Sequence, residues 1–215
     1  MKRNSRALES ATLIFWDFDG VIKDSVNVKT AAYETLFLSY GHDIARRVRQ
    51  HHEANGGVSR FDKIPLYLEW AGQSSSPEQI KKCCQQFSQA VVQAVIDSPW
   101  VPGIREYLLK HYMDKYFVLV TATPQDEIEK ILRSLKLSHC FKEIFGAPTK
   151  KDRAIKDLLE RLKYLPHEAA MIGDSESDLL AAKANGVPFL LRRTPLNGGL
   201  QAIYQGPMFD DLNDE

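Results

Sequence analysis

Several short runs of this chain are apolar almost from end to end instead of alternating, which constrains the fold more than any other feature. Residues 12–16, 116–121, 169–172 and 188–191 are dense in β-branched and aromatic side chains, with a weaker run at 144–145. Strands of that composition are buried on both faces, as in a parallel sheet covered by its crossover helices. Helical patterns lie between them. Residues 104–111 follow the Pro102-Gly103 turn, and 124–135 open on Pro124 with Asp126 and Glu127 in the first turn. Residues 152–162 and 176–185 follow, the last ending at Gly186. Strand and helix in alternation from about residue 100 predict an α/β fold, a doubly wound, Rossmann-like parallel sheet.

Residues 25–98 break that rhythm. They contain helical patterns at 26–39, 44–53, 61–70 and 77–97, separated by Gly41, Gly56-Gly57 and the stretch 73–76. The expected organisation is a catalytic core of residues 1–24 and 99–215. A small all-helical domain, residues 25–98, is inserted after the first strand, over its C-terminal end. From Asn197 the chain is Gly-rich and then acidic, and reads as a tail.

Composition narrows the partners. Lys+Arg and Asp+Glu are 28 each, so no global field draws in nucleic acid or an anionic membrane. No apolar run approaches the roughly 20 residues that span a bilayer. The opening MKRNSRALES is basic but has no apolar stretch of its own before ATLIFW, so no signal peptide is expected. Cys83, Cys84 and Cys140 form neither a disulfide framework nor a metal-ligand spacing. The expectation is a soluble cytoplasmic protein with reduced, partly buried thiols.

Four segments carry residues able to do chemistry. The first strand runs out into Asp17 and Asp19, then Gly20. Two neighbouring carboxylates beside a phosphate need a cation, and a hard ion such as Mg²⁺ prefers oxygen ligands; alternatively Asp19-Gly20 is only a turn. Thr121 ends a strand just ahead of a helix, so its hydroxyl and the backbone N–H groups around Ala122 can grip a phosphoryl oxygen, or it is an ordinary helix cap. Lys150 and Lys151 lead into a helix, either to neutralise a phosphate or as a solvated pair. Asp174 stands at a strand tip with Asp178 one helical turn on, both facing one cleft unless Asp174 is a helix cap. Each bland reading is respectable alone. Four strand ends bearing these groups in this order are not expected by chance.

Asp17-Phe-Asp19-Gly-Val, Thr121, Lys151 and Gly173-Asp174 with Asp178 resemble the four motifs of the haloacid dehalogenase-like hydrolase superfamily, in its phosphatase branch. The likeness spans residues 10–24 and 99–192, and the helical insertion resembles the cap placed between the first and second motifs. The resemblance implies a Mg²⁺-dependent phosphatase of a small phosphorylated metabolite, a sugar phosphate or similar phosphomonoester. Asp17 would attack phosphorus and Asp19 would serve as acid and then base. Thr121, Ala122 and Lys151 would bind the phosphoryl group, with Lys151 favoured over Lys150. Asp17, the backbone carbonyl of Asp19 and Asp174 would hold the metal, with Asp178 in or beside the shell. The alternatives are a phosphomutase of the same superfamily, or a binding module that kept the fold without catalysis.

The insert is expected to select the substrate. Gly56-Gly57-Val58-Ser59-Arg60-Phe61-Asp62-Lys63 reads as a loop entering a helix. Arg60 and Lys63 are its candidate specificity residues, Arg60 as a two-pronged clamp on a carboxylate or second phosphate. Ser59 as a plain helix cap with Arg60 solvated is the competing reading. Lys63 is also available for the imine-forming role of a phosphonate-cleaving relative, which would require a depressed pKa and suitable geometry. His51 and His52, pointing in different directions on one helix, read as a surface pair.

Overall fold

A computed structural model describes residues 8–213. Six parallel strands form one sheet in the order β3-β2-β1-β4-β5-β6. They are β1 (Leu13–Trp16), β2 (Tyr116–Pro124), β3 (Glu143–Ala147), β4 (Ala169–Gly173), β5 (Phe189–Arg192) and β6 (Met208–Phe209). Side chains alternate across the sheet, which explains the unbroken apolar runs. Ile14, Trp16, Phe117 and Leu119 join one core, while Leu13, Phe15, Val118 and Val120 join the other.

Helices cover both faces. On the first lie α5 (Ile104–His111) and α6 (Gln125–Ser134), which contribute Ile104, Leu108, Ile128 and Ile131. On the second lie α7 (Lys151–Leu162) and α8 (Glu176–Ala184), with Ile155, Leu158, Leu179 and Ala182. The chain winds from β1 outward to β3, then returns to the other side of β1 at β4. Side chains at the carboxyl ends of β1 and β4 therefore flank the point where the winding reverses, the usual ligand crevice of such sheets.

Between β1 and β2 come α1 (Val26–Phe37), α2 (His42–Ala54), α3 (Arg60–Trp70) and α4 (Pro77–Asp97). The chain enters and leaves this helical insert along one seam. Asp24 donates its N–H to the Pro99 carbonyl (2.9 Å), and Val101 donates to that of Ile22 (3.1 Å). Its interior is aromatic: Tyr33 lies 3.9 Å from Phe87 between ring centroids, and Tyr67 meets both Tyr33 and Phe37 edge-on at 5.5 Å.

Two expectations need correction. Strand β2 extends through Thr123 to Pro124, and α6 begins only at Gln125; Pro124 is the residue before the helix, not its first. The stretch after Asn197 is no mere tail, since it holds α9 (Gly198–Ile203) and then β6. A two-residue strand has too short a pattern to be read from sequence. The basic opening residues 1–7 and the ends of the expected core, residues 1 and 215, lie outside the described residues. Cys83, Cys84 and Cys140 are all free, the first and last buried. Among the described residues no helix is long and apolar enough to cross a membrane.

Insert and sheet domain are joined by a buried ion pair. Arg60, the first residue of α3, donates from Nη1 and Nη2 to the two Glu127 oxygens at 2.9 and 2.6 Å, and from Nη1 to Ser88 at 2.6 Å. Both side chains are almost sealed from solvent. Removing one partner of such a pair strands the other charge. Glu127→Ala is expected to lower stability by about 3–5 kcal/mol in denaturant unfolding. A loss below about 1 kcal/mol would equate it with an exposed surface pair.

Candidate active site

The site is assembled from the first residues beyond β1 and β4, the last residues of β2 and the first residue of α7. Asp17 prolongs the β1 ladder by donating its N–H to the Ile172 carbonyl (3.0 Å), and its side chain is buried at the strand tip. Asp174 follows Gly173 at the end of β4. It is not a helix cap. Ser175 takes that position, and its N–H and hydroxyl both donate to Asp178 Oδ2, at 3.1 and 2.6 Å. Gly20 lets the turn after β1 close onto Asp174: its φ is +75°, and a β-carbon there would lie 2.0 Å from Asp174 Oδ2.

Of the two lysines, Lys151 enters the site and Lys150 is exposed. Lys151 Nζ lies 2.9 Å from Asp17 Oδ1 and 2.5 Å from Asp178 Oδ1. Thr121 is buried, its hydroxyl accepting the N–H of Thr123 (3.2 Å). Thr121, Ala122, Lys151, Asp17, Asp19 and Asp174 line a pocket of about 20 Å³. Gly56 and Gly57 of the insert close it. A β-carbon on Gly57 would sit 2.0 Å from the Ser177 hydroxyl, which donates to the Gly57 carbonyl (3.2 Å).

The electrostatics of this cluster are unbalanced. Asp17, Asp174 and Asp178 offer oxygens within 4.8 Å of one another, with Lys151 as the cation between them. Burial, with Asp178 as a like charge beside it, pushes the Asp17 carboxyl up to about 7 despite Lys151. Burial and then Asp17 and Asp178 raise Asp174 well above the carboxylate range. Burial opposes the charge on Lys151, but Asp17 and Asp178 outweigh it and hold the ammonium above its ordinary value. Three buried acids facing one lysine fit a hard divalent cation, held by oxygen. Both Asp178 oxygens already accept protein hydrogen bonds, which leaves them less free to ligate a cation.

Asp19 faces the other way. It accepts hydrogen bonds from Ser25 (2.6 Å), Lys29 (2.5 Å) and Thr123 (3.1 Å), and Lys29 also donates to the Thr123 hydroxyl (2.8 Å). Its carboxylate is not part of the three-acid cluster, which leaves only its backbone carbonyl as a candidate metal ligand. Burial would raise its pKa, but Lys29 above all, then the Ser25 and Thr123 hydrogen bonds, hold it below the ordinary value. Ser25 precedes α1 yet caps nothing with its side chain, since the hydroxyl is on Asp19.

The insert residues are placed differently from the simplest expectations. Ser59 does cap α3, accepting from the Phe61 N–H (3.3 Å). Arg60 is not solvated, and its two prongs are taken by Glu127. Lys63 is buried with Nζ 2.9 Å from His52 Nδ1, and burial followed by repulsion from Lys29 brings it down to about 7. His51 and His52 are not a surface pair: His51 contacts the Tyr67 hydroxyl (3.0 Å) and His52 is buried. Amphipathic spacing places His52 on the inner face of α2 along with Ala45 and Val48, a signal that a residue-pair reading overlooks. Lys29, Thr123 and Glu127 were also missed, since each acts across the seam between insert and sheet.

A profile of the haloacid dehalogenase-like hydrolases matches residues 14–191. The phosphorylated carbohydrates phosphatase of Thermotoga maritima is 30% identical over 185 residues, 81% of each chain. The phosphoglycolate phosphatase of Pseudomonas savastanoi pv. phaseolicola is 27% identical over 208 residues, 93% of this chain and 76% of its own. Among solved structures, a beta-phosphoglucomutase from Clostridium difficile shares the fold, with a TM-score of 0.74 at 21% identity over 94% of this chain and 92% of its own.

Because Asp17 and Asp174 bind protons more tightly when folded, the cation-free protein loses stability as pH climbs from about 4 to about 7. A divalent cation favours the ionised carboxylates and opposes that loss. Millimolar magnesium should therefore raise Tm more near about pH 7 than near about pH 5, a difference that Asp174→Asn abolishes. An equal rise at both pH values, or one retained in Asp174→Asn, would place the cation elsewhere.

Proposed function

The chain belongs to the haloacid dehalogenase-like hydrolases, and from that premise we propose that it is a magnesium-dependent phosphatase of a small phosphorylated metabolite, acting through an aspartyl phosphate at Asp17. The observation that carries this reading is the division of labour between two aspartates. Asp17 lies in the acid cluster on Lys151, whereas Asp19 is held apart by Lys29, Ser25 and Thr123. One carboxylate is set to attack and the other to handle a proton.

Asp17 attacks phosphorus in line, breaking the ester bond and forming a mixed anhydride. Lys151 orients the attacking carboxylate, and with Thr121 and the Ala122 backbone it takes the charge of the transferring phosphoryl group. The leaving oxygen departs opposite Asp17 and takes its proton from Asp19. Asp19 rests as a carboxylate, so it acquires that proton only when a negative phosphoryl group beside it raises its proton affinity. It then accepts a proton from the water that opens the anhydride and regenerates Asp17. Mg²⁺, held by Asp17, Asp174 and the Asp19 carbonyl with Asp178 beside them, would supply charge neutralisation for the phosphoryl oxygens.

The helical insert acts as a cap in this reading, with residues 25–98 closing over the strand tips and choosing the substrate. The two named phosphatase relatives support small phosphorylated compounds as the substrate class.

A magnesium-dependent screen of phosphate release over sugar, polyol, nucleotide and hydroxy-acid phosphates tests the proposal. Release from at least one class is expected, falling at least about a thousandfold in Asp17→Asn, as for loss of a covalent nucleophile. A hexose phosphate that yields its isomer and not inorganic phosphate would make the protein a phosphomutase instead. Phosphate release undiminished in Asp17→Asn would refute the mechanism.

A further inference from the structure

A second small cavity, about 30 Å³, adjoins the nucleophile's pocket and shares Asp19, Gly56 and Ala122 with it. Lys29, Tyr33, His52, Arg60 and Phe87 form much of its remaining wall. A larger hollow of about 570 Å³ opens beside Lys151 and Thr121 but touches neither Asp17 nor Asp19. In-line displacement sends the leaving oxygen toward Asp19, so the leaving group belongs on the side of the smaller cavity.

Within that wall Lys29 is paired with Asp19, and Arg60 with Glu127. His52 differs. Its ring lies 4.7 Å from that of Tyr33, its Nδ1 is 2.9 Å from Lys63 Nζ, and its Nε2 is buried with no hydrogen-bond partner. Burial, then Lys63 and Lys29, hold the ring well below its usual pKa, so it is neutral. While Lys63 is an ammonium it can only donate, so in that state Nδ1 is the acceptor and the ring proton is on Nε2. The result is a buried N–H on a wall residue of the leaving-group cavity, with nothing to donate to. Buried donors are seldom left in that state without a ligand or ordered water to satisfy them.

We propose that His52 reads the leaving group, donating from Nε2 to an acceptor oxygen carried close to the ester carbon, and that Lys63 is the positioning residue that fixes its tautomer. This rests on the phosphatase reading and narrows it to phosphomonoesters of compact polar alcohols. The acceptor is a hydroxyl or a carboxylate. Lys63 does not line the cavity itself, so it acts through His52 and not as an amine nucleophile.

The test compares kcat/KM for matched pairs of phosphomonoesters in the presence of magnesium. One pair is a hydroxy-acid phosphate and the alkyl phosphate lacking its carboxylate; the other is a polyol phosphate and the alkyl phosphate lacking its hydroxyls. The wild type should favour the acceptor-bearing member of one pair by at least about a hundredfold, and the pair that shows it identifies the oxygen. His52→Phe should cut that preference at least about tenfold, and His52→Gln, whose amide can donate, should restore part of it. In Lys63→Met, KM for the favoured substrate should rise more than kcat falls. The ¹⁵N shifts of the His52 ring should report a proton on Nε2 in the wild type and a changed tautomer mixture in Lys63→Met. A cooperatively folded His52→Phe that keeps the full preference, or a wild-type ring protonated at Nδ1, would overturn the assignment. Equal turnover of both members of each pair would overturn it while leaving the phosphatase reading standing. No phosphate release from any substrate would remove both.

Discussion

Three carboxylates crowd together where the winding of the sheet reverses, with one lysine paired to two of them, and the rest of the site depends on that imbalance. Asp17 and Asp174 stand at the tips of adjacent strands β1 and β4, so the pairing of those strands sets their separation. Lys151 at the start of α7 keeps two of the acids together but cannot neutralise all three. Burial makes the deficit worse, because each uncompensated charge loses its hydration. Under the proposed function a cation and a phosphoryl group would resolve that conflict together, each the counter-charge that the other needs.

Asp19 shows how the same strand end supports a second, opposite environment. Two residues beyond Asp17, it leaves the acid cluster and accepts from Lys29, Ser25 and Thr123. One aspartate is pushed up and its neighbour is pulled down, by burial among like charges in one case and by a buried cation in the other. Environments that separate the proton affinities of neighbouring carboxyl groups are what acid–base chemistry at a single centre requires. Lys29 comes from the insert, so the insert borders the site and also holds Asp19 in its charged form.

The sheet and the placement of Asp17 and Asp174 at strand tips were legible in sequence because both follow from local pattern. An unbroken apolar run reports a strand buried on both faces, and a polar residue at its end falls on the edge where ligands bind. Asp17, Thr121 and Asp174 needed no knowledge of tertiary packing. Lys29, His52 and Glu127 did. Lys29 meets Thr123 across 94 residues of chain, and Arg60 meets Glu127 across 67. Nothing in the spacing within the insert says how it docks on the sheet. Arg60 accordingly read as a hand for substrate, where the packing gives it a carboxylate of the protein. His52 read as surface because its adjacency to His51 was weighed and its place on the inner face of α2 was not. Strand β6 escaped because two residues carry no period.

The central claim is that Asp17 becomes covalently phosphorylated. Rapid acid quench during turnover of a good substrate, followed by borohydride reduction and peptide mass analysis, tests it directly. The account predicts transient modification of the peptide holding residues 12–24 at Asp17, reduced to homoserine there, with modified enzyme accumulating when Asp19 is replaced by Asn. Steady phosphate release with Asp17 unmodified at every quench time, or with the label on a different residue, would contradict it.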